Sequence, residues 1–128
     1  MLTYRNNLPD IDISLLDLMV PLPGNKQQLY GKLWKYVTDP ESGQSKQCVQ
    51  SIKIVHKKWD NFCECMNKLC SPYKIDIEGD MVTHYGMLLA SGHHLLLSCE
   101  GQEEQTNVSI ATDSYHVLPF VDKFLTQL

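Results

Sequence analysis

The chain has 128 residues, of which 43% are hydrophobic and 20% are charged, and its formal net charge is −4. A chain of this length forms one domain that can bury its own core, and this composition excludes disorder as the default state. Its apolar runs fall far short of the ~20 residues that a membrane-spanning helix needs. Because no signal peptide is recognisable and the five cysteines form no disulfide framework, we expect an intracellular protein, cytoplasmic or nuclear, with reduced thiols.

The first element in chain order is an aliphatic segment within residues 1–24. Ile11, Ile13 and Leu15 alternate as in a strand, and helical spacing also fits, so a bulged strand and a short helix both stay open. Monomeric domains avoid exposing so many aliphatic side chains together. We therefore expect this segment to be a core or interface element that precedes a single α+β domain over residues 25–128. The residues assigned to partner binding in this segment are Ile13, Leu15, Leu16 and Leu18.

Residues 28–38 are rich in aromatic and β-branched side chains, which favours a strand. A second strand-like run covers residues 47–56, and the loop between them contains proline and glycine, so the two runs together predict a β-hairpin. A helix is the competing interpretation of the first run, because Leu29, Leu33 and Val37 are spaced four residues apart. Because this run is rich in aromatic and β-branched residues, we predict a strand and not a helix.

The clearest helix covers residues 57–70 and ends before Pro72, because the residue that precedes a proline leaves the helical conformation. Four apolar side chains follow the three-four spacing of an amphipathic helix and are predicted to be buried: Trp59, Phe62, Met66 and Leu69.

The second half of the chain predicts further strands and a closing helix. The strands cover residues 73–78, 81–90, 93–99 and 107–112, with tight turns at Gly79-Asp80 and Ser91-Gly92. The helix begins near Pro119, and Phe120 and Phe124 on its apolar stripe are assigned to partner binding. The predicted fold class is α+β, a mostly antiparallel sheet of about six strands packed by one mid-chain helix and one C-terminal helix.

No set of residues predicts catalysis or a resident metal or cofactor. Cys63 and Cys65 point about 200° apart on a helix, so they cannot share one zinc ion, and no metal site is expected. His84 could approach His93 or His94 across a hairpin, and Cys99 could be drawn beside one of these histidines. No recognisable nucleophile motif surrounds them, so we expect no catalytic residue and no cofactor.

A face that combines lysines and aromatic residues is the alternative candidate site. Single-stranded nucleic acids bind to such faces through stacking and phosphate neutralisation. The overall charge and the presence of only one arginine, Arg5, argue against that use. If residues 28–38 are extended, the face comprises Tyr30, Lys32, Trp34, Tyr36, Lys53, Lys57 and Lys58.

The sequence therefore predicts a noncatalytic protein–protein interaction module, or a small scaffold or adaptor subunit of an intracellular complex. Its partner is expected to be another protein, in a hetero-complex or a homodimer. A nucleic-acid-binding module and an enzyme of unknown reaction are the alternatives.

Overall fold

The computed structural model describes residues 19–38 and 48–128. The elements in chain order are β1 (Met19–Pro21), α1 (Lys26–Thr38), β2 (Val49–Val55), α2 (Trp59–Cys70), β3 (Lys74–Ile75), β4 (Val82–Leu89), β5 (His94–Gly101), β6 (Thr106–Thr112) and α3 (Leu118–Thr126). Short 3₁₀ turns at Ser71–Tyr73 and Tyr115–Val117 precede β3 and α3. No helix in these two ranges is long and apolar enough to cross a membrane. The α+β class, the mid-chain helix and the C-terminal helix are confirmed.

The described strands form one six-stranded antiparallel sheet in the order β1-β4-β5-β6-β2, and β3 pairs with β4 beside β1. The strands β4, β5 and β6 are joined by short turns. At the first turn the amide of Leu89 donates to the carbonyl of His93, and Gly92 has a φ of 88°, which favours glycine. The predicted strand over residues 73–78 is shorter than expected, because its ladder is limited to Lys74 and Ile75. The strand β2 pairs with β6 along its whole length and lies at the end of the order.

The prediction of a strand over residues 28–38 is wrong, because this stretch belongs to helix α1. The side chain of Asn25 accepts a hydrogen bond from the amide of Gln28 at 3.1 Å, which caps the first turn. Tyr30, Leu33 and Val37 then recur at three-four spacing and pack against the sheet. Burial of this stripe outweighs the β propensity of the individual residues.

Helices cover both faces of the sheet. On one face, α2 and α3 pack on a core that includes Leu95, Leu97 and Cys99 of β5. On the opposite face, α1 packs on a second core that includes Leu96 of the same strand. All four side chains are buried, so the uninterrupted leucine run of β5 is explained by a strand that has no solvent-facing side.

The apolar stripe of α2 is confirmed in part. Phe62 and Met66 are fully buried, whereas Trp59 is half-buried and its ring stacks on Phe62 at a centroid distance of 6.0 Å. The prediction for Leu69 is wrong, because its side chain is 45% exposed. Cys70, four residues after Met66, takes the buried position at the end of the stripe instead.

Candidate protein-interaction surface

The aromatic residues of the predicted lysine–aromatic face point into the protein. The ring of Tyr30 is buried, and Trp34 stacks on it at a centroid distance of 5.9 Å. Tyr36 is half-buried against the same core, whereas Lys32 is exposed to solvent. The expectation that these residues share one strand face is wrong, because a helix sends neighbouring positions to different sides.

The lysines of that face are also separated from the aromatic rings. Lys53 forms an ion pair with Asp122 of α3 at 3.0 Å, on the face of the sheet opposite α1. Lys58 lies 3.8 Å from Glu104, and Lys57 is half-buried just after β2. The geometry behind the nucleic-acid interpretation is therefore absent from the described residues, and nucleic-acid binding itself stays an untested prediction.

The residues assigned to partner binding fall into two groups. Ile13, Leu15, Leu16 and Leu18 lie outside the described residues. On α3, Phe120 is 37% exposed, whereas Phe124 is partly buried against the core. Phe120 is therefore accessible from solvent, whereas Phe124 helps to hold α3 on the sheet, and partner binding by either residue stays a prediction.

The histidines and cysteines do not assemble into a reactive centre. The register of β4 on β5 places His84 opposite Ser98, so His84 does not form the histidine pair with His94 that the sequence left possible. His94 instead contacts Asp113, whose carboxylate accepts from the His94 amide at 2.6 Å and lies 3.1 Å from Nδ1. Within the described ranges, no three His, Cys, Asp or Glu side chains could hold a metal ion together.

The buried thiols are poor nucleophiles. Burial raises the pKa of Cys70 to about 12, and burial together with nearby thiols raises the pKa of Cys99. Since side chains alternate along β4 and β5, Cys99 also faces the side of the sheet opposite His84 and His94. Neither histidine can therefore remove the proton from the Cys99 thiol.

Beneath α1, Tyr30 and His84 form a polar pair within apolar surroundings. The Tyr30 hydroxyl donates to the carbonyl of Leu97 at 2.9 Å, which leaves its oxygen to accept from Nδ1 of His84 at 3.3 Å. Burial lowers the pKa of His84 below its ordinary value and raises the pKa of Tyr30. Both shifts follow from loss of water around the charged forms.

The lowered pKa of His84 predicts that the folded protein loses stability at acidic pH. The folded protein binds a proton at His84 more weakly than the unfolded chain does. The stabilising effect of a neutral His84 is therefore present above pH ~6.5 and is lost as the pH falls toward the lower folded pKa. Between about pH 7.5 and about pH 5.5 we expect the thermal midpoint of the wild type to fall further than that of His84→Gln. Equal slopes for the two proteins would contradict this assignment.

The most exposed large apolar side chain of the described strands, Ile52, lies on β2. Ile52 is 71% exposed and Ile54 is 46% exposed, on the face that carries α1. On the other face, a cleft of about 320 Å³ separates the end of β2 from the end of α3, and it is lined by Val55, Leu125 and Leu128 among others. We call Ile52, Ile54 and this cleft the β2 edge surface. Sequence reasoning missed this surface, although Ile52 and Ile54 do alternate with polar residues.

Comparisons with known proteins place the chain in a family. A family model described as AP5B1, C-terminal, matches residues 28–128. The AP-5 complex subunit beta-1 of Xenopus tropicalis is 21% identical over 139 residues, and the alignment covers 99% of the chain but 15% of that relative. The chain thus spans a small part of the length of this curated relative. No solved structure matches the chain.

Proposed function

The chain belongs to the family described as AP5B1, C-terminal, and on this premise we propose that it is a noncatalytic protein-interaction domain of an intracellular assembly. The observation that carries the proposal is the family match over residues 28–128. A relative that aligns with nearly the whole chain is named as a subunit of the AP-5 complex. The proposed role is that of a small adaptor or scaffold element whose partners are other proteins of such a complex.

Features of the described residues agree with binding rather than chemistry. The thiols of Cys70 and Cys99 are buried and hard to ionise, so neither provides a nucleophile. Apolar side chains are instead exposed at Phe120 and along β2. Ile52 and Ile54 lie on the same face of β2, and exposed apolar side chains that lie close together are typical of protein-binding surfaces.

We assign the contact with the complex to the aliphatic segment within residues 1–24, together with Phe120. The last part of this segment already belongs to the sheet, because β1 pairs with β4 and Met19 is buried. In the sequence, four aliphatic residues come shortly before β1: Ile13, Leu15, Leu16 and Leu18. Burying each of these larger side chains contributes about 1.5–3 kcal/mol relative to leaving it exposed.

A double substitution of Leu15→Asp and Leu18→Asp tests this assignment. We expect the variant to keep the wild-type unfolding transition and to lose co-purification with other subunits of the AP-5 complex, because two charges would enter an apolar contact. The control is Leu69→Asp, which introduces a charge at an exposed position of α2.

Two other outcomes give different assignments. A loss of stability in the double variant would place the segment in the core of the domain. Unchanged stability and association, with amides of residues 8–18 that exchange without protection, would contradict any role for it. If the wild-type chain itself fails to co-purify with the complex, the proposed function is wrong.

A further inference from the structure

Among the described strands, β2 is the last in the sheet order and has a regular ladder. It pairs with β6 in unbroken register from Val49↔Thr112 to Val55↔Thr106, and no described strand pairs with its other side. Natural edge strands are commonly protected by proline, a bulge or short length. The sequence VQSIKIV has no proline or glycine, its ladder has no bulge, and it is the length of an internal strand.

We propose that the outer edge of β2 binds an extended segment of a partner protein, in which apolar residues alternate with acidic ones, as an additional strand of the sheet. This inference rests on the proposed function and specifies one of its binding surfaces. Main-chain hydrogen bonds to the edge would supply affinity, and alternate side chains would supply selectivity.

The two faces of β2 offer different sites to an added strand. On the α1 face, Ile52 is largely exposed and Ile54 is about half exposed, and both would pack beside apolar residues of the segment. On the other face, the cleft between β2 and α3 is lined by Lys53 and Lys57 as well as by apolar side chains such as Val55 and Leu125, so acidic residues of the segment would lie near the two lysines. An extended segment directs successive side chains to opposite faces, so it would use both sites at once.

Lys57, just after the end of β2, carries the positive charge that favours acidic residues in the partner. Lys53, Lys57 and Lys58 lie within six positions, together with His56, in a protein whose net charge is −4. Among the described residues, carboxylates pair with Lys53 and Lys58 but not with Lys57. The same lysines would repel those of a second copy paired edge to edge, which disfavours self-association at this strand.

The ion pair of Lys53 makes it easier for another strand to pair with this edge. A lysine that points inward from an edge strand ordinarily prevents another strand from pairing, because its charge would lose water. Asp122 holds the Lys53 amine at 3.0 Å, so part of that charge is already neutralised.

The test measures binding of a fluorescent synthetic peptide of about seven residues that alternates isoleucine and aspartate. Two control peptides keep the length: one carries N-methyl groups on alternate amides, and the other has lysine in place of aspartate. We expect the full chain to bind the first peptide and neither control. The Ile52→Asp/Ile54→Asp variant should weaken binding at least tenfold, and Lys57→Glu should weaken it as well.

The matched control is Val20→Asp, which places a charge at an exposed aliphatic position of β1, at the opposite edge of the sheet. Its affinity for the peptide should equal that of the wild type. Unfolding curves for every variant show whether weaker binding comes from the changed surface or from loss of the fold. If the double variant unfolds, the affinity of Lys57→Glu still tests the inference.

Several results would overturn the inference. One is no saturable binding up to about 1 mM peptide, and another is binding of the N-methylated peptide as tight as that of the unmodified peptide. An affinity of the folded variants equal to that of the wild type would also overturn it, as would a wild-type dimer that protects the β2 amides. Absence of peptide binding with intact co-purification would remove this surface and leave the proposed function standing. Peptide binding without co-purification would keep this surface as a binding site and show that the proposed function is wrong.

Discussion

Replacing Phe62 with alanine should lower the free energy of unfolding by about 3–5 kcal/mol. The ring is fully buried, packs in the core beneath α2 and stacks on Trp59. Truncation would remove these contacts and leave a cavity between α2 and the sheet, where the surrounding backbone is held by strand pairing. Equilibrium unfolding in urea at fixed pH measures this loss.

Leu69→Ala is the control within the same helix. Its side chain is 45% exposed, so we expect a change below about 1 kcal/mol. Losses of similar size at the two positions would contradict the orientation of α2, because that orientation buries one side chain and exposes the other.

On the opposite face of the sheet, Tyr30→Ala should also cost about 3–5 kcal/mol. Its ring is buried between α1 and the sheet, and its hydroxyl donates to the Leu97 carbonyl at 2.9 Å. Tyr30→Phe keeps the ring and removes only the hydroxyl, so the expected loss is smaller, about 0.5–1.5 kcal/mol. Urea unfolding of both variants separates the contribution of the ring from that of the hydrogen bond.

Lys32→Ala, two residues along α1, is the control for this second face. The lysine is exposed and should change stability by less than about 0.5 kcal/mol. A Tyr30→Ala variant as stable as the wild type would mean that the ring is not part of the core, and the exposed aromatic face would then again be a candidate for nucleic-acid binding.

Much of the fold could be predicted because its strongest patterns are local. Helix α2 follows from the spacing of Phe62 and Met66, and α3 follows from a proline in its first turn and the apolar residues after it. The strands β4, β5 and β6 are separated by turn residues that are recognisable without any knowledge of tertiary contacts. The turn at Gly92 is one example, with the positive φ that glycine adopts readily.

Helix α1 was harder to predict, because two signals conflict within the same residues. The aromatic content favours a strand, and only the contacts of Tyr30 and Val37 with the far side of the sheet stabilise a helix. Asn25 was a usable signal, since asparagine is a preferred residue at the start of a helix and its side chain caps α1 here.

The β2 edge surface could not be predicted from its residues alone. The alternation of Ile52 and Ile54 with Ser51 and Lys53 is that of any half-buried strand, and it does not reveal which face a helix covers. In the structure, α1 reaches β2 but leaves Ile52 71% exposed and Ile54 46% exposed. The polar residue Lys53 faces α3 instead, which reverses the usual assignment of apolar inside and polar outside.

The packing of helices on both faces of β5 also determines what is exposed when one helical layer detaches from the sheet. Leu95, Leu96 and Leu97 are shielded only while both helical layers and both neighbouring strands stay in place. Release of either layer would uncover the leucines of one face of this uncharged strand, the kind of segment that nucleates intermolecular β-sheets. Glu100 follows this run closely and opposes such stacking by charge repulsion. Damage to either helix layer should therefore appear first as aggregation, ahead of any measurable population of unfolded monomer.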